Sequence, residues 1–591
     1  MKSKKALINL ILAFLSTLAL SFNYTVVEET DRGNFVVNFL AKLPDVFSQS
    51  YIVDIVLFVA LFFLFDRFLK EKIDVLSAIV SGIFGFLFVM GQSFKTYGNM
   101  LLFMANTFQL FMAIITWLGL SILFYLLITM LIEALNNAKL HEAEGDLSPK
   151  KVFWISFIAI FICYLVWSLL NCPGTFNPDA EQQIDQVLGN NEWENVHPPF
   201  GSIIMGGLYK FGLNVGAPNL GAYLYILLQN TVCAFAFAYM VKKSYEWGCG
   251  KKAAIWMLLF FAINPFWLTY AQLYNKDQLY IGVMTFFTIF IADIIIKKEV
   301  SVPDIVKLTL TALVAALLRK NGIYSIVPTL FVLIFVIKKT DRKKLISILA
   351  GVIIVYELVN KVLYPALGIK DGSIREALSI PFQQTANYVK YHGDDVTKEE
   401  QQIIDEVLDY DVLAENYTPF ISSPVKDTYK EDSTKLPAYF GIWAKMFFKH
   451  PDSYVNAFIN QTYGYLTPVY SDLAGVDSDE QKWEKRRGMT HMTGSGPQIV
   501  KQTKNMAEQT PIIKYLGDPG LYTWILVLAT ILLLKKKKYK EEIFFVPNIV
   551  NLLVCFASPA NGSSRYALPF IAMTPIYIFW VVKNYKNDAE I

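Results

Sequence analysis

Residues 171–200, NCPGTFNPDAEQQIDQVLGNNEWENVHPPF, form a polar, acidic stretch in a chain that is otherwise mostly apolar. An apolar run, 152–170, ends directly before it. The stretch carries a helix start: Asn177 can cap, Pro178 suits the first helical position, and Asp179 and Glu181 fall in the first turn. Ile184, Val187 and Leu188 follow at helical spacing, giving one apolar face suited to a membrane surface. His197-Pro198-Pro199 then restricts the backbone and forces a turn before a new apolar run. Carboxylates, amides and a histidine are thus gathered at the edge of an apolar segment.

The composition outside this stretch sets the class. Of 591 residues, 54% are hydrophobic and 17% charged, against about 25% charged in soluble domains. The apolar residues arrive in blocks of about 18 or more, the length that a bilayer about 30 Å thick requires. The expected fold is an all-α polytopic membrane protein with about 14 transmembrane helices. These lie near 6–22, 51–68, 74–92, 108–133, 152–170, 219–241, 253–271, 278–296, 304–318, 323–337, 345–362, 521–534, 543–558 and 566–582. The run 101–133 is too long for one straight span. MKSKK followed by an apolar run to Phe22 reads as a first anchor, because no small-residue cleavage site follows it. The five cysteines are scattered without metal-ligand spacing, which argues against a disulfide framework or a cysteine zinc site.

Basic residues recur in alternate loops: Lys2, Lys4 and Lys5; Arg67, Lys70 and Lys72; Lys150 and Lys151; Lys242 to Lys252; Lys297 and Lys298; Lys338 to Lys344; and Lys535 to Lys538. By the positive-inside rule both termini are cytoplasmic and the 171–200 loop is extracytoplasmic, in a multi-pass protein of the cell membrane. The other outward turns carry charges that this face usually lacks. Lys276 and Asp277 lie in one, Arg319 and Lys320 in a second, and Arg565 in a third. Single interfacial cations are ordinary, but three such turns point to a shared anionic ligand. Mid-span positions are nearly free of charge, apart from Asp54 and Asp293 near helix ends, which argues against a transporter with a midplane site.

Residues 364–520 form the one large polar segment, expected outside and mostly helical. Within it, 396–416 reads as a capped amphipathic helix, 440–467 as an aromatic amphipathic stretch placed on the membrane surface or against the spans, and 471–509 as loop-rich.

The order of span, outer loop with Asp179 and Glu181, and a His197-Pro198-Pro199-Phe200 turn into an apolar helix resembles the C-type (GT-C) integral-membrane glycosyltransferases. Leu318 to Gly322, Ile380 to Thr385, Gln461 to Tyr465 and Ser558 to Pro569 look like one uncharacterised bacterial branch of that superfamily. The likeness covers roughly residues 150–580. It divides the chain into additional membrane helices (1–150), a GT-C-like membrane core with its first outer loop (151–363), an extracytoplasmic domain (364–520) and C-terminal membrane helices (521–591). Many members of the superfamily have two adjacent acids in the first loop, whereas this chain has Asp-Ala-Glu.

The resemblance implies an inverting enzyme. It would move a sugar from a polyprenyl-phosphate donor to a cell-surface glycopolymer or lipid, with the lipid bilayer as surroundings and no nucleic acid partner. Asp179, with Glu181, would supply the catalytic carboxylate. His197, Lys276, Asp277, Arg319, Lys320, Gln383, Gln384, Tyr463 and Arg565 would bind substrate. Some members use a divalent cation, so Mg2+ or Mn2+ held by Asp179, Glu181 and His197 belongs to the same expectation. A lipid-linked sugar flippase or transporter, or a polysaccharide polymerase, is the alternative.

Overall fold

A computed structural model describes residues 2–27, 35–47, 51–70, 72–138, 147–469 and 487–585. The described chain is almost wholly helical; its one sheet consists of two two-residue strands. It divides into two compact units. One comprises 1–138, 380–430 and 435–470; the other comprises 139–379, 431–434 and 471–591. The polar stretch 364–520 therefore contributes to both.

Among the described residues, eight helices are long and apolar enough to cross a membrane, or nine if one bent pair counts as a single span. This corrects the expectation of about 14. The run 253–271 is broken into Gly250–Ala262 and Pro265–Ala271, which meet at 48° where Asn264 caps the second helix. The helix Tyr51–Phe68 carries Asp54, Asp66 and Arg67. Val302–Leu318, Gly322–Val336, Pro519–Lys535 and Val546–Phe556 run from 17 residues down to 11. At 1.5 Å per residue they fall short of a hydrocarbon layer of about 30 Å. Hydropathy registers apolar runs, but it does not register where a proline or a cap interrupts the helix.

The first unit packs Lys2–Ser21, Tyr51–Phe68, Val75–Tyr97 and Thr107–Asn137 together. The long run beginning at 101 resolves into Leu101–Met104 and a 31-residue helix opened by the Asn106 cap. Asp54 accepts from Ser21 Oγ (2.7 Å) and Asp66 from Asn9 Nδ2 (3.1 Å), so both acids have polar partners on the first helix. The segment 396–416 forms two helices: Lys398–Asp405, opened by a Thr397/Glu400 capping box, and Tyr410–Asn416. The aromatic stretch splits at His450-Pro451 into Leu436–Lys449 and Pro451–Leu466. The residue before a proline is pushed out of helical geometry, which sets the break. Tyr463 of the second piece packs with Met90 and Phe94 of Val75–Tyr97.

In the second unit, Pro149–Leu170, Pro218–Glu246, Asp277–Lys297 and Ser564–Tyr585 are the long helices beside the site, and Arg342–Ala366 is a further candidate span. Trp154, Ile158, Ile162 and Val166 recur every fourth residue on Pro149–Leu170, and each is about half exposed. A continuous bare apolar stripe of this kind is what a lipid-facing helix presents. The part of 471–509 that is described includes a helix, Gly496–Gln509, where a loop-rich stretch was expected; Pro497 sits at its first turn, where a missing N–H costs nothing.

Candidate functional site

The 171–200 stretch folds locally as its sequence indicates. Asn177 caps Pro178–Leu188 by accepting from the Ala180 N–H (2.8 Å), and Gly189 ends the helix in the left-handed region. Its apolar face does not lie on a membrane surface. Ile184 is fully buried, and Val187 packs so closely on Gly206 of Pro199–Asn214 that a side chain at 206 would collide with it. Asn177→Ala is expected to cost about 1 kcal/mol of stability, the usual worth of such a cap. Unfolding in detergent checks this; an unchanged midpoint would mean that tertiary packing alone holds the helix.

A short parallel pairing carries the loop to its partners. Thr175 and Phe176 lie beside Leu273 and Tyr274, with the Phe176 and Tyr274 rings stacked 4.4 Å apart. Thr175 N–H donates to Gln272 O (3.0 Å), and Asn171 bonds the side chains of Thr175 and Gln272. Gly174 has φ +113°, and a Cβ there would strike Ile226 and the Gln272 carbonyl, so glycine alone fits. This clasp sets Asp179 next to Lys276 and Asp277, nearly a hundred residues further along the chain.

The charged residues form one connected cluster. Arg565 Nη2 lies 2.5 Å from Asp179 Oδ2, and Arg565 Nε donates to Asp277. Arg319 Nη1 lies 3.1 Å from the other oxygen of Asp277 and donates to the Arg565 carbonyl (3.2 Å). The Arg319 guanidinium also sits over the ring of Tyr566 (5.0 Å). Lys276 Nζ meets His197 Nδ1 at 2.5 Å, and His197 Nε2 lies 3.8 Å from Asp179 Oδ1. Asp277 is wholly buried beneath this network, while Asp179 remains about a third exposed.

Burial and charge fix the protonation states. Burial alone would raise the Asp179 carboxyl, but Arg565, Lys276 and His197 outweigh it and hold the carboxyl well below the usual range. Burial, reinforced by the Lys276 charge, pushes His197 down to about 3. Burial lowers Lys276 to about 8, with Asp179 opposing and Arg565 assisting. At neutral pH Lys276 is thus mostly an ammonium, and it donates to Nδ1 of a neutral imidazole. The ring proton is left on Nε2, facing Asp179.

The cluster opens into a cavity of about 570 Å3. Asp179, His197, Lys276, Arg319, Lys320 and Arg565 line it, and Glu376 is a further carboxylate in the wall. One side is apolar, formed by Val550, Leu553, Val554 and Ala557. Four cations around two carboxylates leave the cavity short of negative charge.

Several expected site residues lie elsewhere. Glu181 is tied to Arg487, whose Nη2 is 2.6 Å from Glu181 Oε2 and 2.9 Å from Asp185 Oδ1. Residues two apart on a helix face away from each other, so Asp179 and Glu181 cannot share one site. A metal set of Asp179, Glu181 and His197 therefore does not converge, and the surplus of cations would repel Mg2+ or Mn2+. Gln383 donates to the carbonyls of Thr418 (2.8 Å) and Ile421 (3.3 Å), and Gln384 to Tyr454 O (3.3 Å). Gln383 and Tyr463 are buried in the other unit, to which the half-buried Gln384 also belongs. Sequence reading missed Arg487, which lies in a stretch read as loop, and Glu376.

Fold and site together define a polytopic α-helical membrane protein with a cationic, half-apolar cavity beside its long helices. Residues 192–590 match the model of a family described as a family of unknown function (DUF6020), and the chain belongs to that family. The matched region contains His197, Lys276, Arg319 and Arg565, while Asp179 lies just before it. No curated protein and no solved structure matches the chain.

Proposed function

We propose that this protein is a membrane glycosyltransferase that moves a sugar from a polyprenyl-phosphate donor to a cell-surface polymer or lipid. The observation that carries the reading is the cavity itself: a partly exposed carboxylate, Asp179, bound to Arg565 and set among Lys276, Arg319 and Lys320 beside an apolar wall. A lipid phosphate offers the matching chemistry, an anion joined to a hydrocarbon chain.

In the proposed reaction an acceptor hydroxyl attacks the anomeric carbon from the face opposite the phosphate. The carbon–oxygen bond to phosphate breaks with its electron pair, and polyprenyl phosphate leaves. The hydroxyl proton passes to Asp179, whose low proton affinity rises as Arg565, still held by Asp277 through Nε, shares its Nη2 group with the phosphate. Lys276 and Arg565 stabilise the charge that grows on the leaving group. Asp277, buried between Arg319 and Arg565, fixes the two guanidiniums. No step requires a metal ion.

An extracytoplasmic site agrees with the lysines on the neighbouring helices. Pro149–Leu170, Asp277–Lys297 and Ser564–Tyr585 each have one end at the site and carry Lys150 and Lys151, Lys297, or Lys583 at the other.

The test is release of polyprenyl phosphate by the purified protein in nanodiscs, given a panel of polyprenyl-phosphate sugars and candidate acceptors. Turnover with one donor supports the reading. Binding of a lipid-linked oligosaccharide without turnover on any donor would replace it with a flippase or polymerase. Lys276 makes a second expectation. Its charged form binds phosphate, is present below about 8 and is lost above. A charged hydrogen bond worth about 1.5–3 kcal/mol predicts that kcat/KM for the donor falls about tenfold or more as pH rises through that range. Lys276→Met should be low and flat; a pH profile that keeps its alkaline fall in Lys276→Met would assign the titration elsewhere.

A further inference from the structure

We infer that His392, His450 and Asp452 form a binding site for a late first-row divalent cation, zinc foremost, separate from the cavity described above. One nitrogen of each imidazole and one carboxylate oxygen of Asp452 lie within 4.8 Å of one another. Two nitrogens and one oxygen suit zinc, nickel or copper and do not suit Mg2+ or Ca2+, which take oxygen ligands.

The surroundings are those of a built site. His450 Nε2 is 2.7 Å from Asp395 Oδ2, so a second carboxylate fixes the ring and leaves Nδ1 for a ligand bond. A carboxylate on the far nitrogen is the usual orienting partner of a metal-bound histidine, and it raises the basicity of the ring. His392 Nε2 lies 3.6 Å from Asp452 Oδ2. The two imidazoles stack with centroids 3.8 Å apart and planes 14° from parallel. The ligand atoms are already within 4.8 Å of one another, and because the lone pairs of near-parallel rings lie in near-parallel planes, the stack opens by rotation about Cβ–Cγ when both bear on one ion.

Rigid elements carry the groups. His392 ends the helix Ser379–His392, His450 joins Leu436–Lys449 to Pro451–Leu466, and Asp452 sits in the first turn of the latter. Lys449 grips both oxygens of Glu400 (2.8 and 2.7 Å), and Ser453 donates to Asn387 (2.5 Å), which locks the residues on either side. Both rings remain about a quarter exposed, which leaves an ion a path of entry. Packing alone does not require two partly exposed imidazoles, each with its own carboxylate.

The experiment is zinc titration of the full chain in nanodiscs against a chromophoric chelator, with X-ray absorption on the loaded sample. The expected result is one zinc per chain at micromolar or lower free zinc, with nitrogen and oxygen neighbours near 2.0–2.1 Å. His392→Ala and His450→Ala should each abolish uptake. Asp452→Asn, at an exposed position that does not hold the fold, should weaken it, and Asp395→Asn should weaken it about 10–100-fold through His450. Absence of uptake by the wild type, or full uptake by both histidine variants, would overturn the assignment. So would binding untouched by Asp452→Asn.

Discussion

Asp179→Asn is expected to slow sugar transfer by about 10²–10⁴-fold, the range over which a positioned general base contributes. The substitution keeps the shape of the side chain and removes its charge and its capacity to take a proton. Donor binding should change little or tighten, because the amide no longer competes with the phosphate for Arg565. The loss should therefore fall on kcat, and the alkaline fall set by Lys276 should move to lower pH, because Asp179 no longer supports the ammonium. In the free protein the carboxyl is held well below the usual range, Arg565 foremost, so wild-type kcat/KM, which reports the free enzyme, should show no acid limb from Asp179 near pH 5–7. Single-turnover release of polyprenyl phosphate from a loaded donor reads the effect directly. Equal rates for wild type and variant would remove Asp179 from the chemistry. The remaining carboxylate of the cavity wall is Glu376, since Glu181 is held by Arg487 and Asp277 lies buried under two arginines.

Asp277→Leu is expected to destabilise the fold by about 3–5 kcal/mol, the cost of stripping one partner from a buried ion pair. Asp277 is fully buried and serves two guanidiniums at once. Its loss leaves Arg319 and Arg565 close together, with Arg565 still paired to Asp179. Asp277→Asn should be nearly as damaging, because charge rather than volume is what the arginines require. The double variant Asp277→Leu with Arg319→Met should recover part of the loss, since the orphaned charge is then gone. Equilibrium unfolding in mixed micelles measures all three. An Asp277→Asn midpoint equal to wild type would show that the pair contributes shape alone.

Much of the site was legible, and the reasons are local. Asn177, Pro178 and the acidic first turn announced a helix start, and the cap hydrogen bond is where that reading put it. Lys276, Arg319 and Arg565 drew notice because cations are uncommon in loops otherwise poor in charge; all three line one cavity. The span count was less legible. The break at Asn264-Pro265 and the brevity of Val546–Phe556 depend on caps and kinks that an apolar run does not register.

The sequence by itself determined the class of protein, the helical nature of nearly every segment, and the outlying cations that line the cavity. These follow from hydropathy, capping and charge, each a property of neighbours along the chain. Tertiary structure alone decided which of those residues meet. The strand pairing of 175–176 with 273–274 brought Asp179 to Lys276. The turn of one helix sent Asp179 toward Arg565 and Glu181 toward Arg487, more than three hundred residues further along the chain. Gln383, Gln384 and Tyr463 belong to a different unit from the residues that line the cavity. A carboxylate two places further along a helix faces the other way, and a partner hundreds of residues distant is chosen by packing, which no local pattern encodes.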